Sequence, residues 1–520
     1  MLIRDMLVCA AERQPRSTVI VDGERRYGYA EWYRRVLKVA AGLWELGVRP
    51  GDRVVQVLKN REENCAIHFA CQFIGAVNTP LNFRWASGEI AYCVNDAQAR
   101  VLFFEAATAL AVQEARKEFK TAPGLVYVGE GPAPESALAF EELVTRAGPE
   151  PPEVSLNETD ISLMLYTSGT TGRPKGVPRS QRAEYAATVG QIIHHGLVPG
   201  DRTLGIMPLY HTMGMHSLTS MVALNGTFVV MSDWEPEAAL RLIERERVTC
   251  LYLVPTLYHM LVHHPAFGRY DVSSVRKLAY AGAPMLSPLV KACLEGFRPA
   301  IFVNHYGSTE VYIHTVYTDL ARKPGCAGRA AIHTRLRVVR AEPGPTVRPD
   351  EVLPPGEVGE VIVRLSDDAF SGYYNRPEAT ARAIRDGWYF TGDTGYLDED
   401  GDLWLVGRVD DMIISGGENI HPVEVEEVLA QHPKVADVAV AGLPDEVWGQ
   451  VVTAFVVPGD PSLTPEELDA FCLASRQLAR FKRPRRYVFV RAIPRSPTGK
   501  TLRRLLIAGE YEPLATPAGG

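Results

Sequence analysis

Residues 166–176, YTSGTTGRPKG, are suited to chemistry and unsuited to a core. Three glycines allow backbone N–H groups to converge on one anion. The hydroxyls of Thr167, Ser168, Thr170 and Thr171 add donors, Lys175 adds a point charge, and Arg173 stands beside it. Such a set suits a polyphosphate. It is not the nucleotide P-loop, which requires GxxxxGK followed by Ser or Thr. Here Lys175 comes three residues after Gly172 and is followed by Gly176. By composition alone, an ordinary polar turn is the alternative.

Other polar groupings have more than one reading. KRPRR at 482–486 offers a landing site for phosphates or a solvated basic face. His211 and His216 are five apart, which is not a zinc pattern. Asp398, Asp400 and Asp402 resemble the start of a calcium loop, but its twelfth position is Val409, so a solvated turn is expected.

The elements that must position these groups follow from apolar runs. The stretches at 54–59, 101–105, 125–129, 161–167, 203–209, 227–231, 249–255, 277–282 and 301–307 read as strands. The segments at 66–76, 236–247 and 286–297 read as helices between them. Continuous apolar strands alternating with helices imply a parallel-rich α/β arrangement covered by helices, with chemistry beyond the strands' carboxyl ends. From about 335, shorter strands and a hairpin at EDGDLW suggest a strand-rich subdomain. After Gly407 the texture changes again. Pro422 suits a helix's first turn, Thr464 and Glu467 form a capping box, and strands recur at VADVAVAGLP, QVVTAFVVPG and RYVFVRAIP. A seam near Asp410 therefore divides a large unit, 1–409, from a small α+β unit, 410–520.

The 520 residues are 46% hydrophobic, enough for more than one domain. A net charge of −7 argues against general nucleic-acid binding. Eight scattered cysteines without a CxxC imply reduced thiols and a cytoplasmic setting. The opening MLIRDMLVCAAERQPRS reads as an amphipathic helix rather than a signal peptide, and no apolar run is long enough for a membrane span.

The loop, together with PLYHTMG (208–214), YAGAP (280–284), NHYGSTE (304–310), YFTGD (389–393), GRVDDMIISGGENIHPVEVE (407–426) and PRSPTGK (494–500), resembles the motifs of the acyl- and aryl-CoA synthetases. These belong to the adenylate-forming superfamily. The likeness covers nearly the whole chain, and GRVDDMIISGGENIHP and FKRPRRY are especially similar to its 4-chlorobenzoate-CoA ligase branch. The resemblance implies a carboxylic acid activated by ATP and Mg²⁺ to an acyl-adenylate, then passed to coenzyme A. Passage to another acceptor, such as a carrier protein, is the alternative. It also implies a large domain and a small mobile one, while the sequence leaves a monomer and a homodimer both open.

By the same resemblance, Lys500 is the catalytic lysine, and Thr170 and Glu310 are the magnesium-associated pair. Thr167, Ser168, Gly169, Thr171, Gly172 and Lys175 cradle the phosphates. Gly282, Ala283 and Pro284 line the adenine, with His305, Tyr306, Gly307 and Thr309 beside it and Tyr306 as the stacking ring. Asp393 accepts the ribose hydroxyls, with Arg408 adjacent. His211 edges the acid pocket, and Asp410 is the hinge. Gly416 and Gly417 admit the pantetheine arm, and Trp448, Phe481 and Arg483 meet coenzyme A. The acid pocket implied is small, apolar or aromatic, including Thr188, Tyr252 and Ala281, with Val311, Tyr312 and His314 setting its depth. No arginine there suits a second substrate carboxylate, so a monocarboxylate is expected: aromatic, alicyclic or medium-chain aliphatic.

Overall fold

The structure is a computed structural model that describes residues 2–167, 173–341, 346–409, 411–415, 418–475, 478–495 and 501–514. Among the described residues, two large sheets form where the sequence had suggested one arrangement. In the first, the strands Ile301–Tyr306, Lys277–Tyr280, Cys250–Leu253, Arg202–Gly205, Thr227–Val230 and Thr18–Asp22 lie side by side and parallel, with antiparallel strands at both edges. In the second, the order is Leu138–Ala139, Gly124–Val128, Val101–Glu105, Arg53–Val57, Val77–Pro80, Ile161–Thr167 and Lys175–Ser180, parallel except for the last pair.

A helical layer joins the sheets. Ile3 and Leu7, Trp32 and Val36, Phe69 and Ile74, and Leu218 and Val222 come from four helices. They share one core with Leu163 and Phe103 of the second sheet and Ile20 and Phe228 of the first. Tyr29, fully buried, donates its hydroxyl to the carbonyls of Met221 (3.0 Å) and Gly226 (2.8 Å). Apolar side chains on two faces of such helices have nowhere else to go, so burial ties both sheets to one layer.

The strand-rich subdomain is an antiparallel sheet of Leu336–Val339, Gly359–Arg364, Trp388–Leu397, Ile384–Arg385 and Leu403–Arg408. Its 398–402 turn is not merely solvated, as the sequence had suggested. Lys323 Nζ lies 2.6, 2.7 and 2.6 Å from carboxylate oxygens of Asp398, Asp400 and Asp402, and Arg329 Nε is 2.7 Å from Asp402, which is buried. Ammonium and guanidinium groups take the place a cation would hold.

The small unit has its own sheet, Glu418–Ile420, Ile413–Ser415, Gly449–Pro458 and Val435–Asp445, with Arg486–Phe489 parallel to Gly449–Pro458. Helices Pro422–Leu429 and Pro465–Ala474 cover it, the second with the expected Thr464/Glu467 box. The short pair flanking 416–417 was not foreseen. No described helix is long and apolar enough to cross a membrane.

Candidate active site

The glycine-threonine stretch connects two antiparallel strands. Ile161–Thr167 enters it and Lys175–Ser180 leaves it, with Thr167 opposite Lys175. Ser168, Gly169, Thr170, Thr171 and Gly172 lie outside the described residues, but their flanks are held. The Pro174 carbonyl accepts from the Tyr92 hydroxyl at 3.2 Å, the Gly176 carbonyl accepts from Tyr374 N at 2.9 Å, and Arg173 stacks over Tyr92 at 5.2 Å. The sequence had not indicated the returning strand.

Two polar groups converge at the carboxyl ends of the first sheet's strands. In one, Lys175 Nζ sits 5.0 Å from the Tyr373 ring centre, and the Tyr373 hydroxyl donates to Glu310 Oε1 at 2.7 Å. Burial, reinforced by Glu310, drives that phenol far above its usual pKa, so it remains a donor. Glu310 Oε2 has no partner among the described residues. A nearly buried carboxylate with one free oxygen fits Mg²⁺, which takes hard oxygen ligands.

In the other group, Asp393 and Arg408 face each other across paired strands. Arg408 NH1 donates to Asp393 Oδ1 at 2.7 Å, and the Tyr306 hydroxyl donates to Oδ2 at 2.6 Å. Burial alone would lower the Arg408 pKa, but the Asp393 charge outweighs it, so the guanidinium stays charged. The Tyr306 ring meets His314 edge-on at 4.8 Å. Buried Tyr389 lies between the groups and feels Glu310, Tyr373 and Asp393, all of which hold its hydroxyl protonated after burial. Tyr389 opens the YFTGD motif, whereas Tyr373, in the loop before the Pro377–Ala383 helix, had given no signal.

Beneath Glu310 lies a buried ion pair that was also missed. Arg179, fully buried, pairs with Glu184. Its guanidinium donates to the Thr309 carbonyl at 2.9 Å and the Asp368 carbonyl at 3.0 Å. The Phe370 amide donates to the Glu310 carbonyl at 2.8 Å. One cation thus fixes the backbone on both sides of the Glu310–Tyr373 contact. Burial raises the Glu184 pKa, but Arg179 pulls it below the ordinary value. Glu184 Oε2 lies 3.4 Å from His216 Nε2, and the His216 ring stacks on Tyr312 at 3.9 Å. Burial lowers His216 to about 4, which leaves it neutral at neutral pH.

The remaining candidates are spread over the large and the small unit. Gly282 has φ 87°, and Gly282–Pro284 are open to solvent or half-buried at the end of the Lys277–Tyr280 strand. Gly307 is obligatory, because a Cβ there would stand 1.8 Å from the Tyr312 carbonyl oxygen. His211 precedes the Thr212–Ala223 helix, and burial with Arg84 nearby lowers it to about 4. His305 is buried among Tyr252, His195 and Tyr312. Trp448 and Phe481 are exposed on the small unit, with Arg485 stacked on Trp448 at 4.2 Å and Arg483 paired to Asp469 at 2.5 Å. Asp410, Gly416, Gly417 and Lys500 lie outside the described residues. The flanks of 496–500 are tied by an Arg495–Thr501 bridge and by Arg495 pairing with Asp437 at 2.7 Å.

The AMP-binding enzyme family matches residues 8–374, and the AMP-binding enzyme C-terminal domain matches residues 424–500. A feruloyl-CoA synthase of Amycolatopsis sp is 37% identical over 501 residues, covering 95% of this chain and 96% of that protein. A 4-chlorobenzoate–CoA ligase of Arthrobacter sp is 34% identical over 519 residues, covering 96% and 94%. Among solved structures, the anthranilate CoA ligase AuaEII in complex with anthranoyl-AMP superposes with a TM-score of 0.90 at 27% identity, covering 98% of this chain and 97% of that one.

Proposed function

The chain belongs to the AMP-binding enzyme family, and from that premise we propose that it is an AMP-forming acyl-CoA ligase. A carboxylate oxygen of the acid attacks the α-phosphorus of ATP, and pyrophosphate leaves. The thiol of coenzyme A then attacks the acyl carbonyl, and AMP leaves. The observation that carries the reading is the convergence of Asp393, Arg408 and Tyr306 with Glu310, Tyr373 and Lys175 beside the carboxyl end of the Ile301–Tyr306 strand.

A carboxylate is a poor nucleophile toward a polyanion, so the protein must neutralise phosphate charge and align the reactants. Lys175 and the 168–172 loop supply cationic and N–H donors for the phosphates. Asp393 is the acceptor for ribose hydroxyls, an assignment supported by its two oxygens already drawing two donors. Gly282–Pro284 and Tyr306 bound the adenine. Glu310, with Thr170, would hold Mg²⁺, which supplies charge neutralisation to the phosphate oxygens when bound. Lys500 carries the positive charge to the reacting carboxylate and α-phosphate. Trp448, Phe481 and Arg483, with Gly417, form the coenzyme A face.

We assign 1–409 to the large unit and 410–520 to the small one, with Asp410 as hinge. Support comes from the anchors on either side. Arg408 is held by Asp393 of the large unit, whereas Asp411 is paired with Arg503 of the small one at 3.5 Å. Eight unpaired cysteines, seven of them buried, support a cytoplasmic setting. The acid is a monocarboxylate: aromatic, alicyclic or medium-chain aliphatic.

The test is acid-dependent exchange of pyrophosphate into ATP, followed by AMP release on adding coenzyme A. Lys500→Ala should slow the exchange by about a hundredfold or more. Exchange at the wild-type rate would overturn the lysine's role. An acyl-adenylate that forms but never yields AMP with free coenzyme A would point to a carrier-protein acceptor.

A further inference from the structure

We propose that Gln191 and His195 form a hydroxyl-recognition site at the far end of the acid pocket, so that the preferred substrate is an aromatic acid with a hydroxyl remote from its carboxylate. The inference rests on the ligase reading and narrows it.

Gln191 lies near the end of the Gln181–His194 helix and His195 caps it, so the two stand one turn apart on the same face. Both are buried, at 2% and 3% exposure, and both line a cavity of about 10 Å³ with Ser217, Tyr252 and Ala279. That space admits one water or one hydroxyl group.

The hydrogen bonds determine what faces it. The Tyr312 hydroxyl donates to Gln191 Oε1 at 2.5 Å, and the Gln191 Nε2 amide has no partner among the described residues. His305 Nε2 lies 3.1 Å from the Tyr312 carbonyl oxygen, so that nitrogen carries the proton. His305 Nδ1 is then an acceptor whose single lone pair is shared between the Tyr252 hydroxyl at 3.1 Å and His195 Nε2 at 3.0 Å. His195 therefore carries its proton on Nε2, and its Nδ1 is a bare acceptor without a partner among the described residues. Burial keeps both rings neutral, lowering His305 to about 3.

One unpaired donor and one unpaired acceptor beside a hydroxyl-sized space match a group that both accepts and donates. A methyl terminus would leave both unpaired. Tyr252 and Ala279 of that lining belong to one buried apolar cluster with Met207, Met213 and Ala281, and Ala281 adjoins Gly282 in the chain. Two methionines can shift around a planar ring.

The test needs no variant at first. Pyrophosphate release by the wild-type enzyme, with coenzyme A present, is compared for 4-hydroxycinnamate, cinnamate and 4-methylcinnamate. The hydroxylated acid should be favoured about tenfold or more in kcat/KM over both others. Gln191→Leu and His195→Phe, each checked for folding by circular dichroism, should bring that ratio toward one. Equal kcat/KM values in the wild type, or a ratio unchanged in both folded variants, would overturn the proposal. So would turnover confined to fatty acids, which leaves the ligase reading standing. No turnover with any benzoate, cyclic or fatty acid would instead sink the ligase reading itself. If neither variant folds, the wild-type series alone decides.

Discussion

Arg179 shows how one side chain can hold a reaction centre without touching a reactant. It gives hydrogen bonds to two carbonyls around Glu310 and Tyr373 and ends on a buried carboxylate. Arg179→Met would leave Glu184 buried and uncompensated, so urea unfolding should show a loss of about 3–5 kcal/mol. Arg179→Met combined with Glu184→Leu should recover much of it, because two apolar partners need no compensation. Lys175, Glu310, Asp393 and Arg408 were legible because each sits in a short motif of fixed spacing. Arg179 and Glu184 were not, because a lone arginine in KGVPRS and a glutamate in a helix's first turn usually face water.

At the scale of elements, strong apolar runs and caps were readable and edges were not. The runs at 101–105 and 161–167 became strands with those bounds, and Gly75, at φ 70°, caps a helix that ends within the 66–76 run. The strand Lys175–Ser180 escaped notice because it contains a proline and two basic residues. It forms only by pairing with the buried strand before it, a contact no local pattern encodes. The short Ile413–Ser415 and Glu418–Ile420 pair was hidden by the glycines between them. Capping is the feature of this scale open to direct test. Thr464→Ala removes the side-chain acceptor for the Glu467 amide, now 3.3 Å away. It should lower the stability of the small unit by about 1 kcal/mol, seen by hydrogen exchange in 465–474 with the large unit unchanged.

At the scale of the molecule, histidines set a limit on the acid side. Burial lowers His68, His211, His216 and His314 from the usual 6.5 to about 4, and His305 to about 3. Between those values the unfolded chain binds protons the folded one refuses. The stability they contribute is therefore present above pH 6.5 and lost as pH falls toward 4. The melting temperature should drop steadily between pH 6.5 and 5. A flat profile would mean these rings are solvated.

The helical layer shared by the two large sheets has an evolutionary corollary. A chain divided within that region would strip each sheet of the wall it rests on, so its halves would not hold together as separate modules. New acid preferences must arise by replacing side chains where they stand, around a nucleotide cleft that stays put. The small unit, with separate cores of its own, is free of that constraint and can be exchanged whole.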